Sequence, residues 1–450
     1  MSQSFKIRKG VDIRLQGEAG KNINPTPSIS EFAVKPPDFH GLTPKMLVKI
    51  GERVKAGSSL FIDKYNAKIK FASPVSGEVT DIVRGAKRRI LEVRIKADST
   101  QEYESFSSIN PQTATREEVI EALLNAGMWP FVRQRPFSIV ANPEDQPKSI
   151  HVSCFDSAPL ATDIEFALKD EMDNFAVGIE ALKKLANGKN VNLGVRAGSS
   201  AFNTIQGVNI AAFSGPHPAG NVGVQIHKID PINKGESVWY VDAQDVANIG
   251  RMFSTGKVML RKTIALAGSE MSNTGYCQIT MGAHVASLVG SLPEGTRLIS
   301  GDVLTGTQIE ANGYLGWYEN MLTAIPEGTE PQFMLTKGWL GPGLDKFSVS
   351  RAFPTWLMPK SKKWNLNTNQ NGEERAFVVT GQYEKVFPFD IYPVHLLKAI
   401  IVNDIDAMEK LGIYEVAPED FALCEYACTS KIPVQSIVRK GLDVIKEECA

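Results

Sequence analysis

Within the 450 residues no stretch of 18 uncharged apolar residues occurs, so no segment reads as a membrane-spanning helix. The start, "MSQSFKIRKG", lacks the apolar run of a secretory signal. An excess of one charge is also lacking. The 49 Lys and Arg face 50 Asp and Glu, a net charge of −1, which gives no global field to attract nucleic acid or an anionic membrane. Cysteine is scarce: the five at Cys154, Cys277, Cys424, Cys428 and Cys449 are odd in number and scattered. They exclude a disulfide framework and fit a reducing compartment. The expectation is a soluble protein that stays in the cytoplasm or on the cytoplasmic face of a membrane.

What is present, 43% apolar residues over this length, is enough for three or four domains. Residues 47–94 carry short apolar runs punctuated by Gly and Pro, which predicts a small all-β unit. Gly51, Val54, Gly57 and Leu60, followed by the turn "SPVSGEV" at 73–79, resemble the barrel-sandwich fold of biotinyl and lipoyl carriers. In those carriers a lysine eight residues before the proline takes the cofactor. Here that position is Asn66, flanked by Lys64 and Lys68, so a structural role is expected.

From Thr115 to Phe253 helical stretches, "REEVIEALLNAGMW" and "DIEFALKDEMDNFAVGIEALKKLANG", alternate with apolar runs at 137–140, 191–195 and 238–241. That alternation predicts an α/β sheet domain, with Gly188 stopping the second helix and Phe175, Ile179, Leu182 and Leu185 as core. Residues 257–310 read as a small α+β module without room for a βαβ crossover. Beyond an irregular segment, Val394, Leu397, Ile401, Ile405, Met408 and Leu411 form one helical stripe ended by Gly412. Pro433 suits the first turn of a last helix with Val434, Ile437, Val438, Leu442 and Ile445 as its apolar face.

The stretch "ALCEYACTSKIPVQ" at 422–435 places Cys424 and Cys428 four apart. A cubane iron–sulfur cluster needs four thiolates, in the bacterial ferredoxin spacing C-x2-C-x2-C-x3-C-P. Over that pattern the two cysteines take the last two positions, while Pro418 and Phe421 stand at the first two and Thr429 replaces the proline. Two thiolates hold no cluster, and no histidine follows Cys428 to complete a zinc site. The expected role is apolar packing on a helix turn.

The opening "FKIRKGVDIRLQGEA", the turn "SPVSGEV", the loop "FSGPHPAGNVGVQIHKIDPI" at 213–232 and the "ALCEYACTSKIPVQ" tail together resemble, end to end, the NqrA family of the bacterial sodium-translocating NADH:quinone reductase. That family is in turn similar to the C subunit of the Rnf ferredoxin:NAD oxidoreductase and to the NADH-oxidising subunit of respiratory complex I. In those relatives a loop of the type G-x-G-G-A-G-F-P holds flavin mononucleotide and NADH, because backbone amides reach phosphate where no Cβ intervenes. The stretch here, after Ala126-Gly127, is "MWPFVRQRPFSIV". The loop glycines are gone, Trp129, Pro130, Phe131 and Pro136 are bulky, and the prolines remove amide donors. Arg133 and Arg135 read as a surface or interface pair.

The carrier lysine, the flavin loop and the cluster cysteines therefore all fail. The resemblance implies a peripheral subunit with no catalytic, cofactor-binding or metal residue of its own, on the cytoplasmic side of the bacterial inner membrane. Its complex would be a translocase coupling NADH oxidation and quinone reduction to Na+ export, with NADH, flavins, iron centres, ubiquinone and Na+ handled by the complex. Its role would be assembly and quinone binding, its partners the other subunits, chiefly an integral membrane one, and nucleic acid none. Two rival readings are a flavin/NADH-binding electron-input subunit of an Rnf-like complex and a stand-alone quinone-binding protein.

The fold class expected is multidomain α/β and α+β. Residues 1–105 form an N-terminal segment and barrel-sandwich domain, 106–255 a Rossmann-like α/β domain, 256–330 a small β-grasp (SLBB-like) domain, and 331–450 an irregular docking segment and C-terminal helical domain. Two features remain unassigned. His217, with His227 in the same Gly/Pro-rich loop, is either a donor for a quinone carbonyl or part of a turn-setting loop. From Lys346 to Gly372 no acidic residue occurs, while Lys346, Arg351, Lys360, Lys362 and Lys363 alternate with Phe347, Phe353, Trp356, Leu357, Met358 and Trp364. That mixture reads as a docking face for a partner, with a lipid surface or a folded-back loop as alternatives.

Overall fold

The computed structural model describes residues 3–329, 333, 335 and 340–449. The predicted all-β unit is a pair of small sheets. One has four strands in the order Glu31–Val34, Ile90–Ala97, Gly77–Arg84, Arg53–Val54. The other has three, Pro44–Met46, Ser59–Asp63, Lys70–Ala72. Asn66 lies in the turn between the last two, where its carbonyl accepts the Ile69 N–H at 3.0 Å. Lys68 reaches instead to Glu144 of the α/β unit, at 2.8 Å.

The α/β unit is built on a seven-stranded sheet. Five strands run parallel in the order Gln3–Lys6, Asn209–Ser214, Asn190–Arg196, Ser149–Ser153 and Val238–Tyr240, and Arg133–Arg135 and Ile139–Val140 add an antiparallel edge. The first strand comes from the chain's opening segment, which chain order had grouped with the barrel. Its residues pair with 211–214 instead. The long helical stretch after Thr162 is two helices, Ile164–Leu168 and Met172–Leu185. Gly188 then takes a left-handed φ of +78°, as a helix stop requires.

The third unit is a six-stranded sheet around the parallel pair Arg261–Ala267 and Met321–Pro326, with the four-residue helix Ala286–Val289 beside it. Its far edge is Ile23–Asn24, again from the opening segment. The C-terminal region is helical: Tyr383–Val386, Pro393–Ile401, Ile405–Lys410, Ala422–Ala427 and Val434–Cys449. The stripe expected over 394–411 is broken in the middle. Asn403 adopts a φ of +58°, and Asp404 caps a second helix by accepting the Ala407 N–H at 3.0 Å. Ile401 is left exposed as a result. The last helix buries Val434, Val438, Leu442 and Ile445 as expected.

Packing joins units that chain order separates. One continuous core holds Phe71 of the barrel, Trp129 and Leu193 of the α/β unit, and Leu322 of the six-stranded sheet. A second core binds Ile7, Ile13 and Leu15 to Phe213 and to the C-terminal helices. The crevice at the carboxyl ends of the parallel strands is one place where such a frame takes a ligand, and a cleft against the C-terminal helices is another.

Candidate functional site

Strand Ser149–Ser153 lies at a topological switch: the chain leaves it toward Asn190–Arg196 on one side, while Val238–Tyr240 arrives on its other side. In open α/β sheets ligands bind beyond such a point, at the strands' carboxyl ends. The loop that would cradle a phosphate follows helix Arg116–Asn125, whose Thr115 and Glu118 form a capping box. At Gly127 the chain turns with φ +65°, and a Cβ there would sit 2.9 Å from Ala72, so the barrel's close approach requires glycine.

Beyond it the loop is closed on itself. The N–H groups of Met128, Phe131 and Val132 donate to Leu123, Met128 and Trp129 carbonyls at 2.9, 3.1 and 2.9 Å. Pro130 has no N–H to offer. Trp129 donates its indole N–H to the Ala141 carbonyl at 2.7 Å and meets Trp239 edge-on at 5.5 Å, while Phe131 stacks on Trp317 at 5.9 Å. These residues do not fit a flavin or dinucleotide phosphate, because the amides are spent inside the chain and aromatic rings occupy the space.

The two arginines, expected as a surface or interface pair, complete the filling: neither is a surface pair, and Arg135 takes the interface role. Arg133 pairs with Asp242 at 2.8 Å and lies between the rings of Tyr240 and Tyr318, at 4.5 and 4.2 Å from their centroids. The Tyr318 hydroxyl in turn donates to the Pro130 carbonyl at 2.6 Å. Burial opposes charge on Arg133, but Asp242 outweighs it and holds the guanidinium protonated. Arg135 is 0% exposed and reaches Asp420 at 2.5 Å and Glu419 at 2.7 Å. It is an interface residue, joining the α/β sheet to the C-terminal helices. Burial pushes Asp420 up to about 6 against the pull of Arg135, so it remains ionised at neutral pH.

The Gly/Pro-rich loop at 213–232 serves the same joint. A Cβ on Gly223 would collide with the Asp420 carboxylate and the Arg135 guanidinium. His227 sits between Glu415, at 3.0 Å from Nδ1, and the Asp390 N–H, which donates to Nε2 at 3.2 Å. His217 is buried, its Nδ1 3.1 Å from the Ser157 hydroxyl and its backbone N–H on Asp12 at 2.9 Å. Burial lowers its pKa to about 4, so it is neutral at pH 7. The geometry is that of a structural loop.

The lost cluster positions lie beside this joint. Pro418–Phe421 is a single 3-10 turn carrying Glu419 and Asp420, and Phe421 packs on Phe387 at 4.6 Å. Cys424 and Cys428 are buried in the second core. Cys428 Sγ accepts the Ile432 N–H at 3.4 Å, and burial pushes the Cys424 thiol well up. Among the described residues no group of three or more His, Cys, Asp or Glu is placed to hold a metal.

A cleft of about 1030 Å³ stays open elsewhere. It lies between Ile299 of the six-stranded sheet and Leu304 of the turn that follows that strand, Phe347 and Leu366 of the 346–372 segment, and Tyr426 and Lys431 of the C-terminal region. Burial lowers the pKa of Lys431. The segment is thus partly folded back: Phe347 faces Tyr426 at 6.5 Å and Trp364 at 6.1 Å. Sequence reading missed both this cleft and the Arg135–Asp420 pair. Its one usable signal was the acidic Glu419-Asp420 dipeptide standing between the two positions, Pro418 and Phe421, where the ferredoxin pattern would need cysteines.

Three stretches match family models: residues 5–98 that of the NqrA N-terminal barrel-sandwich hybrid domain, 114–258 that of the NqrA second alpha/beta domain, and 263–311 that described as the NQRA C-terminal domain. Among curated proteins, the A subunit of the Na(+)-translocating NADH-quinone reductase of Rhodopirellula baltica is 37% identical, over 98% of this chain and 98% of its own. The corresponding proteins of Marinomonas sp. and Pseudomonas aeruginosa are also 37% identical, over 99% of this chain and 100% of theirs. Among solved structures, the NAD+-reducing [NiFe]-hydrogenase in the H2-reduced state overlays 75% of this chain and 62% of its own, at 10% identity and a TM-score of 0.41.

Proposed function

The chain belongs to the NqrA family, the A subunits of the Na(+)-translocating NADH-quinone reductase, and from that premise we propose that it serves such a complex as a peripheral subunit without a cofactor of its own. The complex couples NADH oxidation and quinone reduction to Na+ export, and this chain holds partner subunits together on its cytoplasmic side. No described helix is long and apolar enough to cross a membrane, which supports attachment through an integral membrane subunit.

One observation carries the cofactor-free reading: Arg133 clamped between Tyr240 and Tyr318, where the α/β fold would otherwise receive a nucleotide. The test is a visible absorption spectrum and an iron assay on the purified chain. Absence of stoichiometric flavin and iron is expected; a flavin band at one per chain would restore the rival reading of an electron-input subunit. Co-purification of the tagged chain with integral membrane subunits is expected too, and its recovery alone under gentle lysis would favour the stand-alone binder.

The open cleft favours a second role, quinone binding, since ligand sites are mostly apolar hollows of about 300–1000 Å³ with a few polar groups and this one joins Ile299, Leu304, Leu366 and Tyr426 to the Lys431 ammonium. Titration with a short-chain ubiquinone, followed by tryptophan fluorescence, should show saturable quenching through nearby Trp364. Unsaturable quenching would remove this role.

A further inference from the structure

The 344–364 loop has a buried root and an exposed tip. At the root, the Trp364 N–H donates to the Arg14 carbonyl at 2.7 Å, the Gln16 N–H donates to the Trp364 carbonyl at 2.9 Å, and the indole is 3% exposed. At the tip, the short 3-10 turn Pro354–Leu357 holds two large apolar side chains side by side in solvent, Trp356 at 55% and Leu357 at 68% exposure. Leu344, also exposed, is tied nearby, its carbonyl accepting from Lys362 Nζ at 3.1 Å. Around the tip the charge has one sign. The Arg351 guanidinium lies 5.4 Å from the Trp356 ring centre, Lys360 follows three residues after the turn, and no acidic residue occurs between 346 and 372. Lys363 is answered from outside the segment by Glu18.

A protein-docking face concentrates aromatic residues in a core depleted of lysine. Here a convex Trp-Leu tip is ringed by Arg and Lys, which is the chemistry of a bilayer interface: the indole sits among headgroups, the leucine enters the acyl boundary, and the cations meet lipid phosphates. We propose that this tip rests on the anionic phospholipid surface beside the complex, giving the chain a lipid contact in addition to its protein contacts. The inference rests on the peripheral-subunit reading and adds a contact that reading does not require.

The test uses the purified full chain with sedimenting vesicles of phosphatidylcholine containing about one-third phosphatidylglycerol, against phosphatidylcholine alone, at low salt. Binding at least about tenfold tighter to the anionic vesicles is expected, because one cation near such a surface is worth about fivefold. Trp356→Ala with Leu357→Ser should abolish most of it, and Arg351→Gln with Lys360→Gln should weaken it and flatten its salt dependence. All four side chains lie at the surface, so an unchanged circular dichroism spectrum is the control. Equal binding to both vesicles, none to either, or binding untouched by the tip substitutions would overturn the proposal. So would loss of co-purification with the membrane subunits in detergent by a tip variant whose parent ignores vesicles, since the face would then meet protein. Co-purification of the unaltered chain reports separately on the peripheral-subunit reading.

Discussion

At the carboxyl ends of the parallel strands the crevice is occupied by Arg133, Tyr240, Tyr318 and Trp317, while some distance along the chain the cleft beside Tyr426 stays open at about 1030 Å³. Both are lined by aromatic and basic side chains. They differ in whether each charge has a partner. In the crevice every guanidinium meets a carboxylate: Arg133 with Asp242, Arg135 with Asp420 and Glu419. A site whose polar groups are mutually satisfied is a structural joint, whereas a half-buried cation facing a hollow is a feature that ligand sites share. In the cleft Lys431 is held below its ordinary pKa by burial.

The largest effect should come from breaking the crevice's joint. Arg135→Ala would leave Asp420 and Glu419 facing each other where the cation stood, and removing one partner of a buried pair costs about 3–5 kcal/mol. Urea unfolding should show that loss together with a fall in cooperativity, because the pair connects the two cores. A loss below about 1 kcal/mol would mean that water reaches the joint.

A smaller effect is expected from Glu319, next to Tyr318. Burial, with the nearby Asp302 charge, pushes its pKa up to about 8. Its folded-state value is therefore above the unfolded one. The folded chain binds the extra proton between about pH 4.5 and 8, so stability falls as pH rises through that window and levels off above it. Glu319→Gln, which stays neutral, should remove that slope and raise stability at pH 8. A variant that loses stability at every pH would show that the carboxyl group is needed for a hydrogen bond instead.

Smaller still is the cysteine pair. Cys424→Ala and Cys428→Ala remove buried sulfur from the second core and should cost about 1 kcal/mol each. Neither should change the iron content of the purified complex. Loss of an iron centre in the double variant would return these positions to cofactor chemistry and put the tail on the side of a working site.

The periodic parts of this molecule were legible in the sequence because their signals are local. The all-β unit over 47–94, the last helix after Pro433 and the core face of Phe175, Ile179, Leu182 and Leu185 all stand where the turn signals, proline and apolar periodicity put them. The break at Asn403 was hidden because Ile401 and Ile405 continue an apolar pattern that only the Asp404 cap interrupts. The opening strand was hidden for a different reason: Gln3–Lys6 pairs with residues more than 200 positions away, and parallel pairing leaves no turn signal. The candidate sites were half legible. Loss of the loop glycines is visible in "MWPFVRQRPFSIV", but what replaces them is set by Asp420, 285 residues from Arg135. The cleft has no motif at all, being formed from five separate stretches.

The finest probe of the comparison is Tyr426→Ala in the cleft. Tyr426 is partly exposed to the cavity and makes one loose aromatic contact, with Phe347 at 6.5 Å. Truncating it enlarges a hollow that already exists and leaves no polar group unpaired. The expected stability change is within about 0.5–1 kcal/mol, against the several expected at Arg135. Ubiquinone quenching should nonetheless weaken by about tenfold if the ring packs a ligand, since one lost aromatic contact is worth about 1 kcal/mol or more. Stability lost on the scale of Arg135→Ala would show that the cleft is a joint like the crevice, collapsed in solution around the tyrosine. Unchanged stability with unchanged quenching would keep the cleft open and move the quinone elsewhere. The pair of measurements therefore separates an open site from a loosely packed one, which neither variant does alone.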